Sequence, residues 1–99
     1  MSQERESGVI EEVSLKPPRR YKVMLHNDDY TTMEFVVGLL TSIFSHSTPA
    51  ATRVMLEVHR NGVGTAGVYS REIAEMKLEL VKERGADSEQ PIQCSMEPE

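Results

Sequence analysis

The sequence is poor in the residues that staple or span. It has one cysteine, no tryptophan, two phenylalanines and three tyrosines among 99 residues. The lone thiol, Cys94, excludes an intrachain disulfide and agrees with a reducing compartment, so a cytoplasmic location is expected. Aromatic residues make up 5% of the chain, which leaves a core of aliphatic and methionine side chains. Long apolar runs are missing as well. The longest, Phe35 to Phe44, is broken by Gly38, Thr41 and Ser42, whereas a bilayer-spanning helix takes about 20 apolar residues. The first residues, Met-Ser-Gln-Glu-Arg-Glu, have neither the apolar centre of a secretory signal nor the acid-poor bias of a transit peptide. No association with a membrane is expected. Basic charge of one sign is absent too. Residues 1–16 carry two basic and four acidic groups, residues 17–81 seven of each, and residues 82–99 two basic and five acidic, giving the formal charge of −5. Nucleic-acid binding normally needs a basic face that displaces counterions from phosphates, and the pair Arg19-Arg20 is too little to make one.

What is present fits one domain. A chain of this length supports a single core and buries roughly two-thirds of the surface that its unfolded form exposes. Residues 1–16 are polar and acidic with short apolar touches at Val9-Ile10 and Val13, and a flexible N-terminal arm is expected there, with one domain over residues 17–99. Pro17-Pro18 marks the boundary, because proline neither continues a helix nor donates to a strand ladder. Arg20 to His26 alternates like a strand, with Tyr21, Val23 and Leu25 on one face and Lys22, Met24 and His26 on the other. Asn27-Asp28-Asp29 then forms a turn. A helix follows, with Thr31 as expected N-cap and Glu34 completing a capping box. Met33, Val36, Val37, Leu40 and Phe44 recur at helical spacing. Gly38 within this helix costs about 1 kcal/mol against alanine. A second helix starts at Thr48-Pro49, runs through Ala51, Val54, Met55 and Val58, and stops at Asn61-Gly62. Gly64 to Tyr69 reads as a strand. Ser70 caps a third helix with Glu72 and Glu75 in its first turns and Ile73, Ala74, Leu78 and Val81 along it, ending near Gly85. Pro91 to Glu97 alternates again, with Ile92, Cys94 and Met96 on one side. The order β-α-α-β-α-β predicts an α+β fold, a small three-stranded antiparallel sheet packed against three helices.

The densest polar cluster is Asn27, Asp28 and Asp29, between a strand and a helix. Such a run makes a turn and a cap, but it also suits a cation. A primary ammonium has three N–H donors, and a carboxylate, an amide oxygen and a neutral ring nitrogen would satisfy them. His59 could give the ring nitrogen, one turn after Met55 on the same helix face. Met33, Val36, Met55 and Val58 could line an apolar hole beside this polar rim, the usual composition of a ligand pocket, or could be ordinary core. A second chemistry is open: a small metal-dependent hydrolase using His26, Asp28, Asp29 and His59 as ligands. Against it, the chain has no HExxH or similarly spaced ligand motif. A third is a protein-interaction surface rich in methionine.

Several long motifs, in order, carry a family resemblance. The runs from Tyr21 to Val36 (YKVMLHNDDYTTMEFV) and from Ala51 to Gly62 (ATRVMLEVHRNG), the segments Gly67-Val68-Tyr69 and Glu72 to Lys77, and Pro91-Ile92-Gln93-Cys94 resemble the ClpS family, across residues 17–97. The resemblance implies a non-enzymatic, cofactor-free adaptor of the bacterial N-end rule (N-degron) pathway, a monomer that delivers substrates to a ClpA-like AAA+ unfoldase. It implies that Asn27, Asp29 and His59 hold the substrate's α-amino group with Asp28 in support. Met33, Val36, Met55, Val58 and Ile92 would wall the pocket for a first residue that is Leu, Phe, Tyr or Trp, with Met33 rejecting β-branched side chains and His26 at the rim. Glu72 and Lys77 would dock on the N-terminal domain of the unfoldase, and the N-terminal arm would follow the adaptor towards the pore. Two positions depart from the pattern: Thr32 stands where many members have proline, and His26 where some have an aliphatic residue.

Overall fold

The computed structural model describes residues 17–99; the arm expected over residues 1–16 lies outside the described residues. Strand β1 (Arg20–His26) is the middle of the three strands. Its alternation has the expected parity: Val23 and Leu25 are fully buried, while Lys22, Met24 and His26 are only partly covered. Strands β2 (Val63–Ser70) and β3 (Gln93–Pro98) pair with β1 on either side, both antiparallel. The two outer strands are offset by a residue or two from their expected bounds. The β1–β2 ladder contains a bulge. Val23 faces Gly67 and Met24 faces Thr65, so Ala66 is the extra residue. Ala66 is buried, and its carbonyl accepts a 2.6 Å hydrogen bond from His46 Nε2. A carbonyl can only accept, so this nitrogen carries the proton.

Three helices cover the sheet: α1 (Met33–Ser42), α2 (Thr48–Asn61) and α3 (Arg71–Asp87). The N-cap of α1 is Thr32, one residue later than expected; its hydroxyl accepts from the Phe35 amide at 3.1 Å. Thr31 instead directs its hydroxyl to the Pro91 carbonyl and its amide to the Asp28 carbonyl. Glu34 therefore complements the helix dipole from the first turn instead of closing a capping box. Helix α2 is capped by Ser47, keeps Pro49 in its first turn, and ends at Gly62, whose φ of 86° lies in the left-handed region that favours glycine. Ser70 caps α3 as expected, but this helix passes through Gly85 and ends two residues later. Gly85 is a site of close approach and not a stop: a β-carbon there would lie 2.9 Å from the Gln90 carbonyl and 3.3 Å from Ile92 Cγ2. The chain reverses instead at Glu89, with φ of 55°.

The core lies between the sheet and the helices. Val23, Leu25, Leu39, Leu40, Val58 and Val81 are its largest fully buried side chains. Gly64 sets the spacing between α2 and β2, since a β-carbon there would lie 2.8 Å from Val58 Cγ2 and 3.3 Å from the Val54 carbonyl. Overfilling a packed contact of this kind costs about 1–3 kcal/mol. Gly64→Ala is expected to lower stability by that amount in urea unfolding, with an unchanged midpoint as the contrary result.

Candidate functional site

Four chain segments meet at one end of the sheet. β1 ends at His26, which pairs with Val63 on one side and Gln93 on the other. The next amide, Asn27 N–H, donates to the Gly62 carbonyl at 2.9 Å, which ties the start of the Asn27–Thr32 loop to the cap of α2. That loop folds on itself: Asp28 Oδ1 accepts from the Tyr30 amide at 2.9 Å and the Asp28 carbonyl from Thr31 at 3.0 Å. It is also tied to the segment before β3, through Thr31 to the Pro91 carbonyl and the Thr32 amide to Gln90 Oε1 at 3.0 Å. The loop thus joins the last turn of α2, the first turn of α1 and the approach to Ile92.

The side chains divide by role. Asp28 is half-buried and engaged with the loop, whereas Asn27, Asp29 and His59 are exposed. His59 stands in the last turn of α2, where the helix dipole presents its negative end and favours a cation. Val36, Met55 and Val58 are buried members of one apolar cluster, with Ile92 packed against it. Met33, at the first position of α1, is 44% exposed and does not belong to this cluster. His26 is turned towards β3, with Nε2 2.7 Å from Ser95 Oγ. It shares with Ile92, Leu78, Lys82 and Cys94 a cleft of about 490 Å³ between α3 and β3. On α3, Glu72 is exposed in the first turn, while Lys77 is partly buried against the end of α1. Thr31 and Gln90 hold the loop in place; the sequence marks Thr31 as a helix cap and does not mark Gln90 at all, and only their partners across the fold show this role.

Residues 16–95 match the family model described as ATP-dependent Clp protease adaptor protein ClpS. The chain belongs to the ClpS family. It is 60% identical over 82 residues to the ATP-dependent Clp protease adapter protein ClpS of Desulfatibacillum aliphaticivorans, covering 83% of this chain and 79% of that one. It is 50% identical over 97 residues to the protein of the same name from Cupriavidus metallidurans, covering 95% and 90%. Among solved structures it is similar to Agrobacterium tumefaciens ClpS2 bound to L-phenylalaninamide, with a TM-score of 0.80 and 41% identity over 84% of this chain and all of that one. The chain is accordingly a Clp protease adaptor and not an enzyme.

The hydrolase alternative loses its footing on these grounds. Among the described residues no group of three or more His, Cys, Asp or Glu is placed to hold a metal ion. Likewise among them, no helix is long and apolar enough to cross a membrane. Nor is Cys94 set up as a nucleophile: burial pushes its thiol up to about 12 from an ordinary 9.0, and the thiol form is a poor nucleophile. The sign for stability follows from linkage. Above the ordinary value the unfolded chain releases the thiol proton while the folded chain keeps it, so stability falls as pH rises from about 9 to about 12. Cys94→Ala is expected to remove this component. Urea midpoints of wild type and variant should converge as pH rises across that range; a constant difference would contradict it.

Proposed function

We propose that this adaptor holds the free α-amino group and large hydrophobic first residue (Leu, Phe, Tyr or Trp) of N-degron substrates and delivers them to a ClpA-like AAA+ unfoldase. The observation that carries this reading is the meeting of the exposed acceptors of Asn27 and Asp29 with the His59 end of α2, beside the apolar cluster of Val36, Met55, Val58 and Ile92. The ligand of the Agrobacterium protein supports it: an amino-acid amide with a free amine and an aromatic side chain has the chemistry of a peptide N-terminus.

In this mechanism the substrate ammonium donates its three protons to Asn27 Oδ1, an Asp29 carboxylate oxygen and a neutral ring nitrogen of His59. Asp28 keeps the loop in shape and adds negative potential. The first side chain enters between Met33, Val36, Met55, Val58 and Ile92. Met33, half-exposed at the mouth, crowds the second Cβ substituent of Ile or Val, and His26 borders the rim. A hydrogen bond to a charged group is worth about 1.5–3 kcal/mol, and burial of one Leu or Phe side chain adds roughly 1.5–3 kcal/mol. Two or three such bonds and one side chain, less the entropy of association, give about −8 kcal/mol, a micromolar affinity. Neither half is sufficient alone, so a small site demands both amine and side chain. Delivery uses a separate surface at the start of α3, with Glu72 and Lys77 docking on the N-terminal domain of the unfoldase, while residues 1–16 extend towards its pore and the adaptor acts as a monomer.

Loss of one acceptor is expected to weaken binding of a Phe-starting peptide by about tenfold or more in His59→Ala and in Asp29→Ala, read by fluorescence anisotropy on folded variants. In the same assay Met33→Ala should admit Ile- and Val-starting peptides. Unchanged affinity in the first two, or continued refusal in the third, removes the residue concerned from the site.

A further inference from the structure

Gln90 is half-buried in the turn between α3 and β3. Its amide donates to the Gly85 carbonyl at 2.9 Å, which seats it on the last turns of α3. The seat is close: a β-carbon on Gly85 would lie 2.9 Å from the Gln90 carbonyl and 3.3 Å from Ile92 Cγ2. From there the side chain reaches the Asn27–Thr32 loop, where Gln90 Oε1 accepts from the Thr32 amide at 3.0 Å. Beside that bond the Thr31 hydroxyl donates to the Pro91 carbonyl. Two consecutive residues of the loop are thus bound to two consecutive residues of the turn. The next residue on one side is Met33, the first of α1, and the next on the other is Ile92. The Thr32 amide is available for this bond because it lies ahead of the first turn of α1, where no helical carbonyl claims it. A proline at this position would have no N–H to give.

We propose that Gln90 is a positioning residue for first-residue selectivity: through the Thr32 amide it fixes the separation of Met33 and Ile92, two walls of the proposed pocket. This rests on the N-terminus reading and adds to it a residue outside the pocket. The loop has two separate anchors. Its start is held by the bond from the Asn27 amide to the Gly62 carbonyl, which Gln90 does not touch. Its end is held by the bonds to Gln90 and Pro91. Loss of the Gln90 bond therefore leaves the strand-side acceptor Asn27 in place and loosens the end that leads into Met33. Discrimination between side chains is affected more than recognition of the amine.

The test uses the full chain with Gln90→Met, which keeps the length of the side chain and loses the acceptor, and Gln90→Glu, which keeps an acceptor. Binding of Phe- and Ile-starting peptides is measured well below the unfolding temperature of each variant. Gln90→Met is expected to weaken Phe-peptide binding by about threefold, the scale of one ordinary hydrogen bond, and to narrow the Phe-to-Ile preference, a ratio that loss of stability alone does not move in a folded protein. Gln90→Glu should restore that ratio; its added charge acts alike on both peptides, so the ratio is the readout. Amide exchange followed by NMR should show the Thr32 amide less protected in Gln90→Met and the Asn27 amide unchanged. Thr32→Pro removes the donor from the other side, and serves if Gln90→Met does not fold. In that background Gln90→Met should have no further effect, since the lost cap hydroxyl is common to both arms of the cycle. An unchanged Phe-to-Ile ratio in Gln90→Met overturns this inference alone, and so does an equal effect of Gln90→Met with and without proline at position 32. Failure of wild type to bind any free N-terminus overturns the underlying reading as well.

Discussion

The hydrogen bond from the Asn27 amide to the Gly62 carbonyl is the joint on which the functional end of the molecule depends. It joins the residue that follows the central strand to the residue that terminates α2. Because β1 is paired on both sides, its end is fixed, and so is the helix end bound to it. His59 is carried on that helix end and the Asn27–Asp29 acceptors on the strand end. The left-handed conformation of Gly62 turns the carbonyl towards Asn27, and the close approach at Gly64 presses the same turn of α2 onto the sheet. The proposed polar half of the site is therefore carried on backbone that the fold holds in place, and the side chains of Asn27, Asp29 and His59 are exposed.

The apolar half of the proposed site is part of the ordinary core. Val36, Met55 and Val58 belong to the same cluster as Val23, Leu25 and Leu40, so the pocket floor is as firmly packed as the rest of the domain. Only Met33, at the free end of α1, is substantially exposed. Its position depends on how α1 is held. At the start Thr32 caps the helix and donates its amide to Gln90 Oε1, and Thr31 ties the preceding turn to Pro91. At the far end Lys77 and Arg84 reach across from α3.

Much of this was legible from one sequence. The alternation of Tyr21 to His26, the Ser70 cap, the Thr48-Pro49 start and the Gly62 stop are local signals, and the structure has each where its chemistry predicts. The errors fall where a local signal was overruled from a distance. Thr31 is as good a cap as Thr32 by composition, yet its hydroxyl goes to Pro91, 60 residues on, and Thr32 makes the cap. Gly85 reads as a helix end because glycine usually is one, yet here it makes room for Gln90 and Ile92. The contact of Lys77 with the Ile43 carbonyl has no signal in helical spacing, because its partner lies 34 residues away on another helix. Residue chemistry offered the Asn-Asp-Asp run with His59 as one alternative beside a plain turn, and the family motifs singled out Asn27, Asp29 and His59 from those alternatives.

The central claim is that this adaptor reads a free amine and a side chain together. The most direct measurement is fluorescence anisotropy with two peptides that both begin with phenylalanine and differ only in acetylation of the N-terminus. Acetylation removes the positive charge and two donors and adds bulk at the nitrogen. The account predicts micromolar binding of the free peptide, on the order of the affinity expected from its bonds and buried side chain, and loss of binding for the acetylated one. Equal affinity for the two would contradict it, because the ligand would then be held without the amine.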